Sequence, residues 1–126
     1  ATKCALPVGN AIVLGFLCNF LVCLGVLMSM SAKDTAGRIL GAFLPVCYFV
    51  LCGFEHCVAN MYYISAGLMA KAVPAYAELA GQSGLDLSSL TVSGFLVGNL
   101  LPVTIGNILG GVCLGAMMWF CHLKKR

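Results

Sequence analysis

The polar positions of this chain are gathered into a few short segments, and between them run long apolar tracts. No Asp, Glu, Lys or Arg occurs between Cys4 and Ala32 or between Leu87 and Leu123, and Glu55 is the only one between Ile39 and Ala70. A bilayer core is crossed by about 20 apolar residues in a helix. Each tract therefore suffices for one transmembrane helix, and the pattern predicts spans at Val8–Ser31, Leu40–Gly67 and Ser89–Cys121. The second differs from the others. As one straight helix, Ile39 to Gly67 would run about 43 Å at a rise of about 1.5 Å per residue, against a hydrocarbon thickness of about 30 Å. Gly53, Glu55, His56 and Asn60 crowd the centre of that excess length, so a break is expected between Gly53 and Asn60. Interrupted membrane helices are tolerated where the freed backbone is buried in protein or lines a wet cavity, and half-helix ends are common ion sites.

Smaller signals fill in the connections. "KAVPAYAELAGQSG", with Pro74, predicts a short surface helix ending near Gly81, and Ser88 or Ser89 is placed to cap the third span. Pro102 should kink that span. Glycines four residues apart, Gly37/Gly41, Gly94/Gly98, Gly106/Gly110 and Gly111/Gly115, allow close helix approach in lipid. Glycines on more than one face of the last helix predict packing on more than one side, and hence an oligomer.

Composition agrees with the pattern. Of 126 residues, 61% are hydrophobic and 9% charged, and the mean hydropathy is +1.02, which places residues 1–126 as a single transmembrane unit in a lipid bilayer. The first tract is too long for a signal-peptide core and lacks a basic segment before it. Lys33 and Arg38 in the first connection, and His122, Lys124, Lys125 and Arg126 at the end, put those segments in the cytoplasm by the positive-inside bias. The chain start and the connection around Ala70–Ser88, which carries Lys71, Glu78 and Asp86, then lie outside. The net charge of +3 is a topology signal, and no nucleic-acid patch accompanies it. The eight cysteines form no Cys-x-x-Cys pair, zinc spacing or haem-attachment motif and read as small packing residues. No nucleophile and base stand at catalytic spacing, so neither an enzyme nor a metal site is expected.

The buried polar residues carry the functional question, because an ionisable group at mid-membrane is costly. His56 is either a neutral imidazole bonded to a neighbouring carbonyl or a pore-lining donor whose charge follows pH. Glu55, about 100° away on a helix, cannot share its face; its expected role is to accept hydrogen bonds at the break or to pair with a buried base. Asn60 either caps a helix or contacts the pore. Asn19 and Asn107 are amides in the other two spans, suited to a shared axis or to helix-to-helix hydrogen bonds. Lys3, just before the first span, reads from composition as a snorkelling lysine. Thr104 and Ser65 read as packing residues, and Phe49, Tyr62 and Tyr63 as pore wall or interface belt.

"GFEHCVANMYYI" and "GNLLPVTIGNILGG" resemble the signatures of the formate/nitrite transporter family, and the arrangement of Lys3, Asn19, His56 and Asn60 is similar to that family's. The resemblance spans essentially the whole chain but only the C-terminal half of a family member, helices four to six. It implies an all-α membrane protein with an aquaporin-like helical bundle of two inverted three-helix repeats, of which this chain forms one, and a pore through each protomer of a homopentamer. By the same resemblance His56 is the central pore histidine, Lys3 supplies positive potential near it, Glu55 and Asn60 stand at the break, and Phe49 forms an apolar constriction. The N-terminal half, with its own broken helix, is the missing partner.

The function this implies is a channel or transporter for small monovalent anions, namely hydrosulfide, formate or nitrite, in the bacterial inner (cytoplasmic) membrane, multi-pass, with a cytoplasmic C-terminus and no cofactor. The wording "EHCVANMYY" leans toward the hydrosulfide branch. Two other readings remain: a membrane-anchor subunit of a redox complex holding haem b between histidines, which the separation of His56 from His122 weighs against, and a purely structural helix bundle in a larger assembly.

Overall fold

The computed structural model describes residues 1–123 and is helical throughout, so the expected basic cluster Lys124, Lys125 and Arg126 lies outside the described residues. A single 3₁₀ turn, Thr2–Ala5, precedes Pro7. Five α-helices follow: α1 Val8–Ser31, α2 Thr35–Leu51, α3 Cys57–Lys71, α4 Pro74–Gln82 and α5 Leu101–Met118. The last is extended at both ends by more loosely wound π-helical turns, Gly94–Leu100 before it and Trp119–Leu123 after it. Helix α1 and the Gly94–His122 rod are each long and apolar enough to cross a membrane. Between them α2 and α3 form two half-length segments separated by a non-helical break at residues 52–56, which overlaps the expected stretch Gly53–Asn60 but starts one residue earlier and ends at His56, because α3 is already helical from Cys57.

Helix α1 is the spine, with α5 and α2 packed along it. Glycine makes the first contact possible: a Cβ on Gly106 or Gly110 would collide with the carbonyl oxygens of Ile12 and Phe16, so the α1 and α5 backbones touch directly. Gly41 meets the Met28 and Ser29 backbone in the same way, and Pro45, buried inside α2, sits against Gly25. Gly111 also faces α1, at Asn19, whereas Gly115 meets open space within the chain.

Local chemistry sets the ends of the elements. Asp34 starts α2 by accepting from the Gly37 amide at 2.8 Å. After Leu51 the chain passes through Gly53 at φ +68°, a left-handed conformation that costs a non-glycine residue roughly 1–2 kcal/mol, and this turns it out of the helix. Helix α4 opens on Pro74, as the sequence predicts, and ends one residue beyond Gly81. Neither Ser88 nor Ser89 caps the last span. Ser88 instead donates its amide and hydroxyl to Asp86, at 2.8 and 2.7 Å, which holds that carboxyl below the usual carboxylate range, and the cap is Thr91, whose hydroxyl accepts from Gly94 at 2.9 Å. Pro102, where a kink is expected, stands two residues after the end of the π-wound stretch Gly94–Leu100.

Candidate functional site

The break between α2 and α3 frees backbone groups in the middle of an apolar bundle, and their partners define the site. Asn107 of α5 supplies most of them. Its Oδ1 accepts from the Cys57 amide at 3.0 Å, its Nδ2 donates to the carbonyls of Glu55 and Gly15 at 3.0 and 2.9 Å, and its own carbonyl accepts from Asn19 Nδ2 at 2.7 Å. One amide therefore ties the break to both α1 and α5. Of the two readings open for Asn19 and Asn107, helix-to-helix bonding is the one the geometry displays.

His56 caps α3, with Nδ1 accepting from the Ala59 amide at 3.4 Å. That acceptor role belongs to the ring bearing its proton on Nε2, and among the described residues Nε2 has no hydrogen-bond partner. The imidazole lies against Phe49, ring centroids 5.8 Å apart at an interplanar angle of 26°. Beside them opens a cleft of about 300 Å³ lined by Lys3, Phe49, Phe54, His56, Asn60 and Tyr63, with Val50, Gly53 and Ala59. Four of the six expected pore residues, Lys3, Phe49, His56 and Asn60, thus share one cleft. Asn19 and Asn107 stand behind it.

Under the cleft lies a charge network. Lys3 Nζ meets Glu55 Oε1 at 2.6 Å; the lysine side chain is 35% exposed and the glutamate 3%. The base that pairs with Glu55 is Lys3, which is half-buried at the cleft and not a buried base. The other glutamate oxygen accepts from Asn60 Nδ2 at 2.5 Å and from Asn99 Nδ2 at 3.3 Å. The freed backbone amides go elsewhere: Glu55 N reaches Leu14 O at 3.4 Å, and Cys57 and Ala59 are bonded as above. The pair as a whole is neutral but oriented, with its positive end toward the cleft and its negative end in the protein. The N-terminus of α3, at His56, adds a second positive pole on the same side.

Asn99, fully buried in the π-wound stretch, is the member that the sequence pattern does not single out. It accepts from Asn60 Nδ2 at 2.8 Å and donates to the Lys3 carbonyl at 2.8 Å. A signal exists, since it is an amide within an uncharged tract like Asn19 and Asn107. Asn60 and Asn99 are among the largest fully buried side chains of the described chain, so the centre of this apolar bundle is polar. Thr104 bonds back to Leu100 O at 2.7 Å, as a packing residue does. His122, exposed in the closing turn, does not line the cleft.

A helical bundle with an interrupted helix, a half-buried ion pair and amides closing the break has the interrupted-helix architecture that recurs in membrane transport proteins. Similarity to known proteins specifies it further. The formate/nitrite transporter family profile matches residues 1–121, and the chain belongs to that family, whose members are channels and transporters and not enzymes. It is 41% identical over 119 residues to formate channel FocA of Escherichia coli K12, covering 92% of this chain and 42% of FocA, and 40% identical over 112 residues to formate channel FocB of the same organism, covering 87% and 40%. A pentameric formate channel with formate bound superimposes with a TM-score of 0.81 at 37% identity, covering 97% of this chain and 49% of the other. The chain thus spans well under half the length of these two relatives and about half of that solved chain. The haem-anchor alternative gains no support from this family.

Proposed function

We propose that this chain is the C-terminal half, helices four to six, of a homopentameric channel for small monovalent anions, and that the Lys3–Phe49–His56 cleft is one wall of its pore. The observation that carries the reading is the placement of an oriented ion pair and a helix N-terminus beside an apolar cleft at the helix break. A small anion entering an apolar constriction sheds hydration, and the loss is offset by local positive potential and hydrogen-bond donors. Lys3 and the α3 N-terminus supply the first. Nε2–H of His56 and the Lys3 ammonium supply the second, and Phe49 and Phe54 provide the narrow apolar surface.

Three anions fit this chemistry: formate, nitrite and hydrosulfide. Each is a weak-acid anion able to cross as the ion or, once His56 has itself taken up a proton at Nδ1 and an imidazolium proton passes to the anion, as the neutral acid, the ring returning to its neutral form. The names of the similar channels favour formate, and the lean of the "EHCVANMYY" wording toward hydrosulfide remains a proposal. The second half of the wall is assigned to the N-terminal half of the same protein, an inverted repeat of this one. A cytoplasmic C-terminus is supported by the basic residues Lys33 and Arg38 and the terminal cluster, and a bacterial inner membrane by the similarity to channels of Escherichia coli. Liposomes carrying the full-length protein should pass at least one of the three anions well above the protein-free background in a comparison that includes chloride. Background-level flux for all of them would overturn the proposal.

A further inference from the structure

The lysine and glutamate at the site are both held by one side chain that does not itself line the cleft. Asn99 is 0% exposed and makes three bonds: to the backbone carbonyl of Lys3 at 2.8 Å, to Glu55 Oε2 at 3.3 Å, and from Asn60 Nδ2 at 2.8 Å. The amide's orientation is fixed by these partners, because a flipped group would set its oxygen against the Lys3 carbonyl and the Glu55 carboxylate. The segment it grips needs such a hold. Lys3 belongs to a 3₁₀ turn of four residues, Thr2–Ala5, closed by a backbone bond from Cys4 N to Ala1 O at 2.9 Å, and this turn packs against the π-wound stretch that carries Asn99.

We infer that Asn99 is the positioning residue for the cleft's cation: by holding the Lys3 backbone and the inner oxygen of Glu55 together, it keeps the positive end of the ion pair facing the cleft and the negative end buried. This rests on the reading of the cleft as a wall of the anion path. The π-winding just ahead of Pro102 has a role in it, since extra residues in a turn rotate Asn99 inward without moving the α1–α5 glycine contact that follows. Without the amide, Glu55 retains Asn60 as its single amide donor, the Lys3 carbonyl loses its partner while the turn keeps the Ser89 bond to Ala1 and the packing of Cys4, and the carboxylate is free to swing beside the ammonium. The cleft then sees a pair with no outward positive end, and anions are held less tightly.

The test compares wild type, Asn99→Leu, Lys3→Gln and the double variant of the full-length protein in liposomes, with formate, nitrite and hydrosulfide each supplied over a concentration range and assembly checked by gel filtration. For the anion that wild type carries, Asn99→Leu should raise the half-saturating concentration roughly tenfold, the scale of one lost charge-assisted hydrogen bond, with maximal flux per assembled protein changed less than about twofold. The double variant should be no worse than Lys3→Gln alone, because both act through one cation. An unchanged half-saturating concentration with flux falling only in step with assembled protein, or additive effects in the double variant, would overturn the inference and leave the channel reading intact. If Asn99→Leu fails to assemble, Asn99→Ser is judged by the same two criteria. Absence of flux in wild type contradicts the channel reading itself, and the inference falls with it.

Discussion

A single amide in a low-dielectric setting is worth most where several backbone groups depend on it, and Asn107 is in that position. It satisfies the Cys57 amide and the Glu55 carbonyl, both freed by the break, and bonds in addition to the Gly15 carbonyl of α1. Leaving a buried polar group unpaired costs about 1–3 kcal/mol. Asn107→Leu, similar in volume and without donors or acceptors, should therefore destabilise the protein by about 3 kcal/mol or more, read as a large drop in thermal midpoint in detergent. A midpoint within a degree of wild type would mean that these groups find water or other partners. At this scale the sequence is partly legible. Polar residues inside apolar tracts announce themselves, which is why Glu55, His56, Asn60, Asn19 and Asn107 stand out along the chain, whereas Lys3, ahead of the first tract, is marked only by the family resemblance. What one-dimensional reading lacks is pairing: that Glu55 meets Lys3, 52 positions away, is fixed by helix packing, and Asn99 looks like any other amide until that packing places it between them.

Helices in lipid associate through close packing and hydrogen bonds, with little hydrophobic force between them. The α1–α5 contact is accordingly built on absent side chains. Gly106→Ala should force the two backbones apart and cost about 1–3 kcal/mol, as overpacking does, whereas Gly115→Ala, with nothing within 4 Å in the chain, should be neutral or stabilise by up to about 1 kcal/mol. Equal effects on the unfolding midpoints of the two variants would contradict the packing described here. Element lengths are the most readable feature: a second span too long for one crossing has to break, and it breaks at residues 52–56. Capping is less readable. Three hydroxyl residues, Ser88, Ser89 and Thr91, compete at the start of the last helix, and the Asx turn that Asp86 forms with Ser88 takes that serine out of contention. The π-winding before Pro102 has no periodicity signal of its own, since it shifts register by a fraction of a turn inside a uniformly apolar tract.

The molecule as described is mostly exposed apolar surface. Leu51, Met30 and Tyr62 are 85%, 74% and 72% exposed, a surface suited to lipid and neighbouring helices and unsuited to water. The cleft of Lys3, Phe49 and His56 is built by a chain that covers 49% of one chain of the pentameric formate channel structure it superimposes on. Charge position along the chain makes the membrane setting legible, because lipid admits so few exceptions, while the choice of anion depends on a few ångströms of pore width that composition does not encode. On the proposed function, the imidazole of His56 meets an anion path. The most direct measurement is anion flux through the full-length protein in liposomes across pH, wild type against His56→Phe, with assembly checked by gel filtration. The account predicts intact assembly with an altered selectivity or pH profile in the variant. Identical flux at every pH, with the same anion preference, would contradict it.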